Sequence, residues 1–195
     1  MEALFLTSLC FATSNKHKFA EAKSILKAYG VKIDPLNLDI DEIRSESCRK
    51  VAEDAAERAF AASGKPLFVE DAGLFVDALG GFPGTFSAWA YGKIGNAGLL
   101  RLMAGRKNRR ARFASAVAYR DSRAAKTFVG ACEGKIAMRA AGKNGFGYDP
   151  IFIPSGHSRT FAQDAAMKQK VSHRRRALEA FARWHSSQVK KTKGD

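Results

Sequence analysis

Two adjacent carboxylates, Glu70 and Asp71, follow directly on the apolar run Leu67-Phe68-Val69. They precede a glycine-rich stretch that runs from Ala72-Gly73 to Gly80-Gly81-Phe82-Pro83-Gly84. The apolar run reads as a buried strand, so any fold open to this chain must carry two acids to the end of a core element. Neighbouring carboxylates repel each other and lose hydration near a core; they persist there where cations or hydrogen-bond donors compensate them. In a basic chain that arrangement points to a divalent metal and a phosphate ester. Mg²⁺ takes oxygen ligands and keeps waters or substrate phosphates in its other positions. The plainer alternative is a strand that ends at solvent with two hydrated acids. Glu70 by itself either binds metal or braces a lysine.

The basic balance is 33 Lys and Arg against 19 Asp and Glu, a net charge of +14. Such a charge gathers polyanions without distinguishing nucleotide, nucleic acid or acidic lipid. Nine basic residues lie between Lys168 and Lys193 against Glu179 alone, so more than half of the surplus sits near the C-terminus. A nucleic-acid-binding protein using that face is therefore a second class of function. Against it, the chain carries no recognisable RNA or DNA module and the acidic cluster would repel a phosphate backbone, so no stable nucleic-acid partner is expected. The three cysteines, Cys10, Cys48 and Cys132, are odd in number and widely spaced, which argues against a disulfide framework or a zinc site and fits the cytoplasm. Thr7 and Ser8 interrupt the apolar opening from Ala3 to Ala12, which reads as a first strand rather than a signal peptide or membrane span. No membrane partner is expected.

Along the chain, Leu9-Cys10-Phe11-Ala12 leads into Thr13-Ser14-Asn15-Lys16-His17-Lys18 and then a helical pattern stopped by Gly30. Ser14 or Asn15 can cap that helix, and a helix N-terminus flanked by lysines is an anion site. A second strand is expected over Ile33 to Ile40, a helix from about Glu46 to Ala62, a strand at Leu67, and a short helix over Asn96 to Met103 behind a glycine-rich loop. Arg112 to Tyr119 and Lys126 to Lys135 read as a hairpin, with the break most like a hinge near it. Asn144 to Pro150 is a loop leading into Ile151-Phe152-Ile153, and a last amphipathic helix runs from about Ser172 to Trp184. Strands alternating with helices, then a hairpin, specify an α/β fold with a mixed sheet. With 195 residues and 46% hydrophobic content, one large core is within reach.

Four separated segments carry complementary groups: the basic helix N-terminus, the acids Glu42 and Glu70-Asp71, the glycine-aromatic loop Phe146 to Asp149, and Lys168 with Ser172-His173-Arg174. Together they resemble the parts needed to hold a nucleoside triphosphate. Lysines and a helix N-terminus hold phosphates, carboxylates hold Mg²⁺, and an aromatic stacks on a base while polar groups read its edge.

In order and spacing these strings are similar to the motifs of the inosine triphosphate pyrophosphatase family. Ala12 to Lys18 resembles its opening phosphate loop. Val69 to Leu74 with Gly81-Phe82-Pro83-Gly84 resembles its acidic motif, Gly145 to Phe152 its nucleobase loop, and Lys168 with Ser172-His173-Arg174 its last motif. The resemblance implies Mg²⁺-dependent hydrolysis of ITP, dITP and XTP to the monophosphate and pyrophosphate. It implies two α/β lobes around a long mixed β-sheet with flanking helices, the substrate cleft between the lobes, and a homodimer. One two-lobed domain over 1–186 and a basic, disordered tail over 187–195 are expected.

Carried over residue by residue, Thr13, Ser14, Asn15, Lys16, His17 and Lys18 would contact the triphosphate, and Glu42 and Asp71 would hold Mg²⁺. Asp71 would also be the catalytic base that activates water, or else a ligand only. Phe146 would stack on the base, Gly147, Tyr148 and Asp149 would complete that wall, and Lys168 would neutralise phosphate. His173 and Arg174 would face the purine 6-position, where donors favour a 6-oxo over a 6-amino group by roughly 1–3 kcal/mol. Two positions depart from the family pattern: Ala72 stands where Ser or Thr is common, so only its backbone N–H can serve, and Ser14 stands for a frequent glycine. A related pyrophosphatase for modified pyrimidine or methylated guanine nucleotides would share the phosphate chemistry and differ at the base loop.

Overall fold

The computed structural model describes residues 9–191, so residues 3–8 of the expected first strand lie outside the described residues. The strands are β1 (Leu9–Ala12), β2 (Ile33–Leu36), β3 (Leu67–Val76), β4 (Pro83–Gly84), β5 (Arg110–Arg120), β6 (Ala125–Ile136) and β7 (Phe152–Pro154). The helices are α1 (Lys16–Lys27), α2 (Cys48–Ser63), α3 (Ser87–Leu102), α4 (Ala165–Val171) and α5 (His173–Lys191). They flank a seven-stranded mixed sheet ordered β2-β1-β3-β5-β6-β7, with β4 paired to β3 off that path. β1 pairs in parallel with β2 and β3, as crossovers through α1 and α2 require, and the remaining pairs are antiparallel.

β3, β5 and β6 are the long members, and at ~3.3 Å per residue the ten residues of β3 span on the order of 33 Å. β5 and β6 pair without interruption from Arg110↔Lys135 to Arg120↔Ala125, the full length of the hairpin. Period-two alternation along β3 sorts its side chains. Leu67 and Val69 pack on the alanine face of α2, with Ala52, Ala55, Ala56 and Ala59. Phe68 points the other way, into Phe11, Leu26 and Phe181 from β1, α1 and α5. Beyond residue 73, Leu74 and Val76 enter a separate core with Leu99, Met103, Phe113, Phe152 and Phe161. The acidic pair and Ala72-Gly73 thus lie where one core stops and the next has not begun.

Pairing explains why that stretch is open. β1 accompanies β3 only through Val69, and β4 joins it only at Leu74 and Phe75. On its other side β3 is paired throughout with β5, from Leu67↔Arg120 to Val76↔Ala111. Between Val69 and Leu74, β3 therefore has an edge without a strand neighbour among the described residues.

Several element bounds differ from the sequence reading for identifiable reasons. β2 ends at Leu36 rather than Ile40, because its partner β1 offers four residues, Leu9 to Ala12, and each is used. The glycine-rich stretch expected as loop before Asn96 is helical: α3 starts at Ser87 and is broken at Gly95, whose φ of 57° and ψ of −163° divide it in two. Buried Ala90 and Leu99 anchor the two halves, so tertiary packing overrides the low helix propensity of Gly92 and Gly98, while Gly95 takes the break. α5 continues past Trp184 to Lys191, into the segment expected as a disordered tail; residues 192–195 lie outside the described residues. Glu179 pairs with both Arg175 and Arg183 along that helix, and neither Gly nor Pro interrupts it.

The start of α5 is seated very closely on the sheet. A Cβ added at Gly130 of β6 would lie 2.2 Å from the His173 carbonyl oxygen and 2.6 Å from the Ala177 nitrogen. The absence of a side chain at Gly130 thereby lets α5 bring His173 and Arg174 to the edge of the open stretch of β3.

Candidate active site

A cleft of about 510 Å³ opens at the unpaired stretch of β3, with Asp71, Ala72 and Gly73 along it and walls from both lobes. Asn15, His17 and Lys18 line one side, Phe146 to Asp149 with Lys168, His173 and Arg174 line another, and Glu42 enters from the loop before α2. The four separated segments therefore meet in one cavity.

At one end stands the start of α1. Asn15 caps the helix, its Oδ1 accepting from the His17 N–H at 3.0 Å and the Lys18 N–H at 3.1 Å. Thr13 supports it, with Oγ1 accepting from the Asn15 N–H at 3.2 Å. Lys18 Nζ then reaches the open edge of β3 and donates to the Glu70 carbonyl at 2.9 Å. Of the six residues expected to touch phosphate, Asn15, His17 and Lys18 line the cleft. Thr13 shapes the cap, and Ser14 and Lys16 are exposed beside it.

Because successive residues of a strand face opposite sides of a sheet, the two acids have different surroundings. Glu70 shares the face of Phe68: Oε1 accepts from Ser115 Oγ at 2.6 Å and Arg174 Nε at 3.0 Å, while Oε2 lies 3.3 Å from Lys18 Nζ as an ion pair without a hydrogen bond. Burial alone would raise its pKa, but Arg174, Lys18 and the Ser115 hydroxyl outweigh burial and hold the carboxyl far below the ordinary range. Glu70 is thus a brace.

Asp71 shares the face of Val69, is 7% exposed, and its Oδ2 has no protein partner. Burial pushes its pKa up to about 6; Lys18 and a hydrogen bond with Cys48 oppose that, while the charges of Glu70 and Glu42 add to it. A hard cation suits this donor set. One buried carboxylate oxygen is free, Glu42 is exposed on the same cavity, and two carboxylates leave positions for phosphate oxygens and water. Among the described residues, no three His, Cys, Asp or Glu side chains form a cluster that could hold a metal by themselves.

The base end is built from buried ion pairs. Asp149 Oδ2 accepts from the Phe146 N–H at 2.8 Å and Lys168 Nζ at 2.7 Å, which folds the loop back on itself. A Cβ at Gly145 would meet that same Oδ2 at 2.0 Å, so only glycine fits there. Glu21, from α1, takes Lys168 Nζ on Oε1 and Arg174 Nη1 on Oε2, both at 2.6 Å. Phe146 carries Lys168 Nζ 4.7 Å from its ring centre, and the His17 ring stacks on it at 5.0 Å and 12°. His17 accordingly belongs to the base wall rather than to the phosphate end alone. Tyr148 is buried, edge-on to Tyr91, with its hydroxyl unpartnered, the arrangement of a packing residue.

His173 is 3% exposed, stacked on Phe113 at 4.6 Å and 11°, and its Nδ1 has no protein partner. Burial, together with the charges of Arg174, Lys168 and Lys18, drives its pKa well below the usual value against the pull of Glu70. It is neutral at physiological pH, with one nitrogen to donate and one to accept.

Sequence reasoning missed Glu21, Ser115, Cys48 and Phe113. Glu21 had a usable signal, since it lies three residues after Lys18 on the same helix and so on the same side. The others come from strands and a helix start whose register only the fold supplies. The C-terminal basic residues are largely committed: Lys168 and Arg174 are buried in ion pairs, Arg175 and Arg183 pair with Glu179, and Arg176 donates to the Ala131 carbonyl.

Comparison with known proteins gives a consistent picture. A model of the Ham1 family matches residues 9–184. The dITP/XTP pyrophosphatase of Methanopyrus kandleri is 45% identical over 181 residues, covering 92% of this chain and 96% of that protein. The dITP/XTP pyrophosphatase of Thermococcus kodakarensis is 44% identical, covering 93% and 99%. Among solved structures, a HAM1 protein from Coxiella burnetii superposes with a TM-score of 0.81 at 31% identity, covering 92% of this chain and 98% of that one.

The Asp71 environment sets a pH dependence of stability in metal-free protein. Its folded pKa of about 6 lies above the ordinary 3.8, so the ionised carboxylate opposes folding. That cost is absent below pH 3.8, grows between 3.8 and about 6, and is complete above. With chelator at pH 7.5, Asp71→Asn is expected to stabilise the fold by about 2–3 kcal/mol, an advantage that disappears near pH 4. Paired thermal melts of the two proteins across that range measure it; a variant less stable than its parent at pH 7.5 contradicts this reading of the site.

Proposed function

The chain belongs to the Ham1 family, and we infer from that membership and from the cleft that it is a nucleoside triphosphate pyrophosphatase. Its substrates in this reading are non-canonical purine nucleotides, dITP, ITP and XTP, which it cleaves to the monophosphate and pyrophosphate. One observation carries the inference: a buried carboxylate with a free oxygen, Asp71, shares a single cavity with Lys18 at one end and with His173 and Arg174 at the other.

The triphosphate lies against the capped start of α1, where the positive end of the helix dipole and Lys18 meet its charge. Glu42 and Asp71 would hold Mg²⁺, and the bound ion would supply positive charge to the phosphate oxygens. With its pKa already near 6 before any cation, Asp71 is ionised at neutral pH and oriented to accept a proton from the attacking water. Glu70 is read as a brace rather than a cation ligand, because its Oε1 is held by Arg174 and Ser115 and its Oε2 lies 3.3 Å from the Lys18 ammonium. Ala72 lines the cleft without a side-chain donor, so only its backbone can serve there.

The base enters against Phe146 and shares or replaces the His17 stack. Charged Arg174 and a nitrogen of neutral His173 face the purine 6-position. A 6-oxo group accepts from them, whereas a 6-amino group leaves buried donors unpaired, at a cost of roughly 1–3 kcal/mol. Lys168, held between Glu21 and Asp149, keeps the wall positively charged.

Two further assignments complete the reading. A homodimer buries the apolar surface of Phe82, Phe86 and Trp89, which are 36%, 43% and 64% exposed in the single chain. Sedimentation at micromolar concentration gives twice the chain mass; a monomer there rejects the assignment. The free thiols Cys10, Cys48 and Cys132 suit the reducing cytoplasm, and no helix among the described residues is long and apolar enough to cross a membrane.

Pyrophosphate release measured over ITP, dITP, XTP, ATP and GTP with Mg²⁺ is the test. The deaminated nucleotides are expected to turn over at least about tenfold faster than ATP in kcat/KM, the ratio that 1.4 kcal/mol supplies. Asp71→Asn is expected to lose turnover while keeping its fold. Equal rates for ITP and ATP reject the base selectivity, and an active Asp71→Asn rejects its role in the chemistry.

A further inference from the structure

Glu70 stands behind the cleft wall at 5% exposure, yet its side chain meets groups from both ends of the cleft. Through Oε1 it holds Arg174, which faces the base, and through Oε2 it pairs with Lys18, which stands at the phosphate end. Ser115, 1% exposed on β5, fixes Oε1 from below through a 2.6 Å hydrogen bond. From Arg174 the ion pairs continue to Glu21, from Glu21 to Lys168, and from Lys168 to Asp149 in the base loop. One uninterrupted chain of opposite charges therefore joins the two ends, and Glu70 is its link beside Asp71.

We propose that Glu70 is a positioning residue through which base recognition sets the placement of Lys18, so that nucleotide selection is expressed in turnover and not in binding alone. The inference rests on the pyrophosphatase reading above. Its physical basis is that Arg174 and Lys18 share one buried carboxylate. A base that Arg174 fits leaves the carboxylate where it is, and Lys18 stays aligned on the triphosphate. A base that draws Arg174 aside moves the shared carboxylate and Lys18 with it. Binding energy gained at the base is thereby spent on alignment at the phosphate, where small misplacements have large effects on rate. The second tether of Lys18, to the Glu70 carbonyl at 2.9 Å, is backbone and survives side-chain substitution, so changing the carboxylate isolates the coupling.

The test compares wild-type enzyme, Glu70→Gln and Ser115→Ala, reading kcat and KM for ITP and ATP and the Mg²⁺ concentration giving half-maximal rate. Glu70→Gln is expected to lose about tenfold or more in kcat for ITP and less for ATP, so the kcat ratio between them falls about fivefold with Mg²⁺ half-saturation unchanged. Ser115→Ala, which loosens Glu70 without touching the cleft, shifts the ratio in the same direction by a smaller factor. A folded Glu70→Gln that keeps the kcat ratio and moves only KM overturns the proposal. So does a loss of rate that excess Mg²⁺ restores, because that is the behaviour of a metal ligand. Should Glu70→Gln not fold, an unchanged ratio in Ser115→Ala overturns it alone. Wild-type enzyme that releases no pyrophosphate from ITP would instead reject the underlying function.

Discussion

A single buried negative charge, the Glu70 carboxylate, organises the cleft. Left alone in the interior such a charge costs several kcal/mol, so its presence requires cations brought from elsewhere in the chain. Arg174 comes from the start of α5 and Lys18 from the first turn of α1, more than fifty positions away in either direction, and Ser115 supplies a neutral donor from the neighbouring strand. Arg174 in turn needs Glu21, and Glu21 holds Lys168 against the base loop. Removing one partner of such a network leaves an uncompensated charge, which is more damaging than the net worth of any pair suggests. What the network secures is placement: Lys18, Lys168 and Arg174, which line the cleft, are held by Glu70 and Glu21, which do not.

The second constraint is the missing strand neighbour. β1 stops at Ala12 while β3 continues, and β4 takes up pairing only after Gly73. A continuous sheet would have closed this edge. Its openness divides the apolar interior in two and leaves room for a ligand between them, and the alternation of β3 assigns the two acids different tasks. Glu70 turns toward the α1 and α5 face, where cations bind it. Asp71 turns toward α2 and the Glu42 loop, where Oδ2 has no hydrogen-bond partner and burial outweighs the Lys18 charge to raise its pKa to about 6. Two chemically similar neighbours thereby differ in surroundings, one paired with cations and the other with a free oxygen facing the cleft.

Much of this was legible in the chain before any coordinates. The four segments were picked out by their residue chemistry and by resemblance to the motifs of a known family, and the α/β class and the mixed sheet follow from periodicity and turn residues, because those signals are local. Asn15 was legible as a cap and Gly30 as a helix stop for the same reason. Non-local relations were not. Nothing in the sequence separates Glu70 from Asp71 until the register against β5 and the packing of α5 are known. Glu21, Ser115 and Phe113 act through side chains whose partners lie between 45 and 153 positions away or across a sheet. The first half of α3 was hidden by its glycines, and the extent of α5 by a polar composition that lacks apolar periodicity. His17 sits among phosphate-loop residues in the sequence and against Phe146 in space.

The central claim is a division of labour between two adjacent acids across an open strand edge. A crystal structure of the enzyme with Mg²⁺ and a non-hydrolysable ITP analogue tests it most directly. The account predicts the cation bound by Asp71 and Glu42, the base on Phe146, and the Glu70 carboxylate still between Arg174 and Lys18. Glu70 in the coordination shell of the cation, with Arg174 released from it, would contradict the account.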